Sequence, residues 1–400
     1  MARADVRILP FLALWLPLVG CDEPAGEDVD PCEALSQQLI ECELVLEPLG
    51  EGECNGEQAE ALAEVTDCEA LASMADTAKA DGWWEAFLCE IGYADHCPLP
   101  AIERTEDGRF TRYDLPGDRL HPEGGTFDAV DGAFYVGSLD DGRVLRIDAA
   151  SRETTEVVPP NDEGWRTLGA AVDEERRRVF FCVLHDEDPL AGQVWEIDLD
   201  RQERVAEYDL TDAAPNGSCN DVAVAPDGSV YVTGREAPNL YRVRDGGVSV
   251  FVTDDVLAPP TVGLGQNGIV VLPDGSGIVT TRYLPPALNF ISLDDPSDIR
   301  RVDIDGDFSD YNHLGSGADG MVWFDDSLFV VMSTELFRVS SDDGWRTATS
   351  NSVSTPRSGM TDVVVAERDL YLLNGQAVHF VTGREPGQSF YLMRFADALP

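Results

Sequence analysis

A recurring hairpin constrains this chain more than any other feature. Residues 220–233 read Asn-Asp-Val-Ala-Val-Ala-Pro-Asp-Gly-Ser-Val-Tyr-Val-Thr, which is an alternating apolar strand, a Pro-Asp-Gly turn and a second strand rich in β-branched and aromatic residues. The pattern returns at 267–275 (Asn-Gly-Ile-Val-Val-Leu-Pro-Asp-Gly), at 319–326 (Asp-Gly-Met-Val-Trp-Phe-Asp-Asp) and, earlier, at 123–132 (Glu-Gly-Gly-Thr-Phe-Asp-Ala-Val-Asp-Gly). Each of these copies opens on a side chain that carries oxygen. Weaker copies start at Gly169 and near Thr361-Asp362. The six heads are spaced by about 43 to 52 residues, the length of a four-stranded propeller blade. Third strands are legible at 143–148, 193–198, 239–243 and 335–339. The expected fold is therefore all-β, a six-bladed β-propeller spanning 108–396. Its last blade shows three strands ending at 389–395, and the missing outer strand is supplied if 108–115, upstream of the first head, pairs there and closes the ring.

The chain ahead of the repeats has a different character. Residues 1–20 carry Arg3 and Arg7, then an apolar run from Ile8 to Val19, and read as a signal peptide too short to remain as a membrane span. Its ending, Leu18-Val19-Gly20-Cys21, resembles the bacterial lipobox, which implies cleavage before Cys21 and acylation of that residue. Residues 21–31 are acidic and poor in apolar groups, as a flexible tether is. Cys32, Cys42, Cys54, Cys68, Cys89 and Cys97 follow within 66 residues, an even number in an exported chain. Helical periodicity at 33–46 and 57–76 makes this segment a small disulfide-rich α-helical module, 32–97. Metal ligation by these thiols finds no Cys-x-x-Cys pair to support it. Pro98 and Pro100 mark the boundary with the repeats.

The charge balance narrows the range of partners. With 75 acidic against 28 basic residues and a net charge of −47, nucleic acid is excluded as a partner, and the membrane is reached only through the lipid on Cys21. The single lysine, Lys79, lies outside the repeats, so Schiff-base chemistry has no residue there. We expect a monomer.

In a propeller the innermost strands line one channel, so equivalent positions converge on the axis. Glu123, Asn220, Asn267 and Asp319 form such a set: two carboxylates and two amide carbonyls, an all-oxygen group of charge −2. It suits a divalent metal, Ca²⁺ before Mn²⁺ or Zn²⁺. At these residues the chain resembles the six-bladed senescence-marker-protein/gluconolactonase family that includes regucalcin, and more remotely the paraoxonases. The family's metal ligands open Glu-Gly-Pro, Asn-Asp-Gly/Val, Asn-Gly and Asp-Gly-Met motifs. These fall here on Glu123 of Glu-Gly-Gly, Asn220 of Asn-Asp-Val, Asn267 of Asn-Gly-Ile and Asp319 of Asp-Gly-Met. The resemblance implies hydrolysis of a lactone or related ester, with the cation polarising the carbonyl and Asp319 serving as ligand and base. Two departures bear on the substrate. The family's Arg two residues before the first Asn is Ser218 here, and Glu-Gly-Pro has become Glu-Gly-Gly, so a sugar-acid lactone is not implied.

His121, two residues before Glu123, and His185, at the end of an apolar strand, are candidate catalytic proton shuttles on the metal-bearing face, or else ordinary loop histidines. Cys182 and Cys219 end and begin strands of neighbouring blades and are expected to form a disulfide. The alternating acids of 303–310 lack the twelfth-position Glu of a calcium loop and read as a solvated inter-blade loop. Serine-hydrolase and zinc-protease motifs are absent from the sequence. Two functions stay open: a metal-dependent lactone or ester hydrolase at the cell envelope, and a non-catalytic surface propeller that binds a ligand or partner and keeps the cation for structure.

Overall fold

The computed structural model describes residues 98–395 save 262–263, 312–316, 356, 384–385 and 387–388, and in the N-terminal part 31–42, 44–45, 68, 70–73, 75 and 88. The signal peptide, Cys21 and most of the tether lie outside the described residues. The chain divides into two compact units, Met1–Tyr93 and Ala94–Pro400. In the first, a helix spans Pro31–Glu41, with Leu35 and Leu39 fully buried on one face, and Cys42 is disulfide-bonded to Cys68. The pairing expected of Cys32, Cys54, Cys89 and Cys97 falls outside the described side chains.

The second unit is a six-bladed propeller of antiparallel blades. Blade 1 uses Gly125–Asp128, Ala133–Gly137, Val144–Asp148 and Thr154–Val158. Blade 2 runs from Trp165 to Asp209, blade 3 from Val222 to Thr253, blade 4 from Leu264 to Arg301 and blade 5 from Met321 to Ser354. Blade 6 takes Met360–Ala366, Asp369–Asn374 and Tyr391–Phe395 from its own repeat. Its outer strand is Arg112–Asp114, with Arg112 opposite Met393 and Asp114 opposite Tyr391, which is the closure expected from the sequence. Each innermost strand touches that of the next blade, and the sixth touches the first.

The turns are built as the sequence dictates. Asp227 and Asp274 accept the N–H groups of Ser229 and Ser276, each at 2.9 Å, while Gly228 and Gly275 take φ of 84° and 72°. Alternate strand residues then fill the seams between blades, such as Tyr113, Phe134, Tyr371 and Phe390 at the join of blades 6 and 1. Arg109 fastens the closing segment. This buried side chain donates to the Ala366 carbonyl and pairs with Asp107 and with Asp369, the latter at 2.7 Å.

One segment departs from expectation. Residues 303–306 form a strand rather than a solvated loop: Asp303–Gly306 pairs parallel with Thr347–Ser354 and gives blade 5 a fifth strand. The alternation of Asp303, Ile304 and Asp305 has the two-residue period of a strand, and Ile304 packs on the blade 5 core. Ala377–Thr382, for which the sequence analysis set no expectation, is a short helix ended by Gly383 at φ 68°.

Cys182 and Cys219 are disulfide-bonded between blades 2 and 3. The two described disulfides point to an exported protein. Among the described residues no helix is long and apolar enough to cross a membrane.

Candidate cation site on the propeller axis

Six hydrogen bonds tie the blades into a ring at or beside the repeat heads. Ser138 N–H donates to Thr167 Oγ1 (2.6 Å), Gly169 N–H to the Asn220 carbonyl (3.0 Å) and Thr233 Oγ1 to the Asn267 carbonyl (2.7 Å). Thr281 Oγ1 donates to the Asp319 carbonyl (3.4 Å), Gly320 N–H to the Thr361 carbonyl (3.1 Å) and Thr361 Oγ1 to the Pro122 carbonyl (3.0 Å). Together they cross every blade junction. The backbones of Gly169, Asn220, Asn267, Asp319 and Thr361 are thereby fixed, and the side chains of Asn220, Asn267 and Asp319 are left to line the axial cavity.

Those side chains share one cavity. Glu123, Asn220, Asn267 and Asp319, the four candidate ligands from four blades, line a space of about 10 Å³ together with Gly169, Thr361, Asp221 and Asp362. That is room for one water-sized occupant. Asp221 and Asp362 directly follow the heads of blades 3 and 6 and play matching parts. Asp221 accepts Val222 N–H (2.7 Å) and, from blade 4, Ile269 N–H (3.2 Å); Asp362 accepts Val363 N–H (2.8 Å) and, from blade 1, Gly125 N–H (2.9 Å). Gly169 and Gly320 permit this approach, because a Cβ at either would stand 1.9 or 2.1 Å from an oxygen of Asp221 or Asp362.

Four carboxyl groups in so small and dry a space cannot all be ionised without a counter-charge. Burial, reinforced by the charges of Asp319, Asp221 and Asp362, raises Glu123 well above the usual carboxyl range. Burial likewise raises Asp319, against the Asn267 amide that bonds it, and Asp362, against its two N–H donors; it pushes Asp221 up to about 7. Among the described residues no three Asp, Glu, His or Cys side chains could hold an ion by themselves, so the amide oxygens have to complete any ligand set. Asn220 Oδ1 fits that part, being a buried carbonyl oxygen with no hydrogen-bond donor. Oxygen donors in surplus negative charge, one of them unsatisfied, fit a hard divalent cation.

The two candidate histidines stand outside the cavity lining. His121 is buried against Phe390 and Phe380, its ring centroid 4.9 and 5.4 Å from theirs, and its Nδ1 donates to the Gly375 carbonyl at 3.2 Å. That burial lowers its proton affinity. His185 stacks edge-on against Trp165, and its Nδ1 accepts Glu187 N–H at 3.2 Å. The sequence reading placed Asp221 and Asp362 at repeat heads but gave them no role, and it did not single out Tyr283. The recurrence of Asp-Val after the heads of blades 3 and 6 was a signal for the first two. Tyr283 ends the second strand of blade 4, and burial together with the charges of Asp319 and Glu123 raises its phenol above the ordinary range.

No family model matches the chain, and no curated protein matches it either. Many solved structures do. The major allergen Mala s 1 of Malassezia sympodialis is 18% identical with a TM-score of 0.61, the match covering 72% of this chain and 97% of the allergen. A luciferin-regenerating enzyme is 11% identical with a TM-score of 0.52, over 72% of this chain and 96% of its own. A gluconolactonase from Xanthomonas campestris is 15% identical with a TM-score of 0.49, over 76% and 99%. At these identities the likeness is one of fold.

Proposed function

We propose that this propeller is a divalent-cation-dependent hydrolase of a lactone or related ester, exported and held at the cell envelope by a lipid on Cys21. The observation that carries the reading is the meeting of Glu123, Asn220, Asn267 and Asp319 in one buried cavity, with the Asn220 carbonyl oxygen unsatisfied there. These four residues would hold the cation, Ca²⁺ in first place, which when bound supplies a Lewis acid for the substrate carbonyl. The chain's own contributions follow from its geometry. The cavity admits nothing larger than one water, so the ester sits above it, at the mouth. Asp319, ligand and base in this reading, takes the proton of the attacking water. His121 and His185, packed away from the cavity, are given no part.

The test is hydrolysis of a lactone and aryl-ester panel by protein carrying Cys21→Ser, stripped of metal and refilled with Ca²⁺, Mn²⁺ or Zn²⁺, beside Asp319→Ala and Asn220→Ala. Activity that returns with metal and is lost in both variants supports the hydrolase. Metal that binds and raises the melting temperature without turnover makes this a ligand-binding propeller with a structural cation. If no metal binds, the cation site itself is wrong.

A further inference from the structure

At the end of the propeller opposite the repeat heads, blades 2 and 3 part around a cavity of about 300 Å³. Asp173, which ends the inner strand of blade 2, and Gly228, in the turn after that of blade 3, both line it. The floor is the apolar seam of the two blades, Phe180, Val230 and Val243, with Val230 directly opposite Val243 in the ladder. Around it stand Arg176, Arg178 and Arg244. The hydrogen bonds of these walls are spent unevenly. Both oxygens of Glu196 are taken, Oε1 by Arg178 Nε at 2.8 Å and Oε2 by the Tyr208 hydroxyl at 2.6 Å. Both oxygens of Asp173 are taken too, by the backbone N–H of Arg176 at 3.0 Å and by its Nη1 at 3.1 Å. The arginines keep donors in hand. Arg178 commits Nε and Nη1, the latter to Asp198 and the Arg176 and Arg177 carbonyls, and Arg244 commits Nη1 to Asp227 at 2.8 Å. Among the described residues, Nη2 of each has no hydrogen-bond partner. The walls therefore still offer donors, from one guanidinium in each blade, above an apolar floor. The charges of the three arginines are matched by those of Asp173, Glu196 and the 91%-exposed Asp245, so the cavity is formally neutral in a chain of net charge −47.

We propose that this cleft is a binding site for a small amphiphilic carboxylate, held through its two oxygens by Arg178 and Arg244 with its hydrocarbon body on Phe180, Val230 and Val243. A ligand group that only accepts hydrogen bonds matches walls whose acceptors are already engaged. The planar guanidinium suits a carboxylate edge to edge, and the apolar floor takes the rest of the molecule out of water. Repulsion is weak here, because Glu196 and Asp173 are each held by an arginine and water screens Asp245. Arg176 acts as a positioning residue. It is tied to Asp173 in blade 2 and, through Nη2, to the Pro226 carbonyl in blade 3 at 3.2 Å, so it spans the cleft and sets its width. Gly228 leaves room for that strap, since a Cβ there would stand 2.7 Å from Arg176 Nε. The site is separate from the cation cavity and owes nothing to the hydrolase reading.

The test is calorimetric titration of the full chain with phenylacetate, phenylacetamide and acetate. Phenylacetate is expected to bind, and the other two, which lack the charge or the apolar body, to bind at least about tenfold more weakly. Arg244→Met and Arg178→Met should each weaken phenylacetate binding by about tenfold to a hundredfold, while Arg119→Met, on an exposed arginine outside the cleft, leaves it unchanged. Arg244 and its partner Asp227 are 47% and 49% exposed, so Arg244→Met keeps the fold and decides the matter even if Arg178→Met, which strips Glu196 of its cation, does not fold. Phenylacetate that fails to bind, binds Arg244→Met as it binds the wild type, or binds no better than phenylacetamide overturns the proposal. Binding that is lost in Asn220→Ala and kept in Arg244→Met overturns it as well, by moving the carboxylate to the cation cavity.

Discussion

Replacing Arg109 tests how the ring is closed. In Arg109→Met the aliphatic stem is kept and three interactions are lost: the bond to the Ala366 carbonyl and the pairs with Asp107 and Asp369. Breaking one side of a buried ion pair costs about 3–5 kcal/mol. Here Asp369 keeps Arg394, whose Nε and Nη2 approach it at 2.8 and 2.7 Å, and Asp107 is 39% exposed. The lower end, about 3 kcal/mol, is therefore expected. For a propeller of this size that lowers the melting temperature by roughly 6 °C. Calorimetry of wild type, Arg109→Met, Asp369→Asn and the double variant measures both the loss and the coupling. Arg119→Met, which removes a 67%-exposed partner of Asp140, should change stability by less than about 0.5 kcal/mol. Equal melting of Arg109→Met and Arg119→Met, or strict additivity with Asp369→Asn, would show that the closing segment is not held by this residue.

Three further outcomes are expected. Cys182→Ser with Cys219→Ser opens a 37-residue separation and should cost about 3–4 kcal/mol by chemical denaturation, an effect that reductant reproduces in the wild type. Gly169→Ala drives a methyl group onto the Asp221 carboxylate and should destabilise by about 1–3 kcal/mol and weaken Ca²⁺ binding measured by titration, whereas Gly246→Ala, with open space around it, should leave binding intact. Burial and the hydrogen bond donated to Glu196 push the Tyr208 phenol up to about 12. Its folded-state pKa thus lies above the unfolded value of about 10, and its contribution, full below pH 10, is lost as the pH rises through 12; Tyr208→Phe should flatten that part of an alkaline melting series.

The blades could be read because their local and global signals agree. Asp-Gly turns, two-residue alternation and a blade-length period all favour the same hairpins, so the six heads, the third strands and the Arg112–Asp114 closure were visible before any coordinates. What escaped was set by tertiary context. Ile304 alternates with acids that look solvated, and only the waiting edge of Thr347–Ser354 turns 303–306 into a strand. Four candidate ligands could be placed because the fold multiplies one position by symmetry. The surroundings of His121 are set by tertiary context too: closeness in sequence to Glu123 says nothing of Phe380 and Phe390, against which its ring is buried.

The ring of six hydrogen bonds at the heads has an evolutionary consequence. At four of the six junctions, the head contributes a backbone carbonyl or N–H to that ring, while the atoms facing the axis belong to its side chain. Heredity can therefore rewrite the interior of the channel without reopening the architecture. Gly169 and Thr361, the heads outside the four candidate ligands, mark where that freedom ends: Asp221 leaves no room for a side chain at the first, and the hydroxyl of the second is itself one of the six bonds. A lineage built on this scaffold can exchange its chemistry at Asn220, Asn267 and Asp319, where the ring holds the backbone and leaves the side chain to vary.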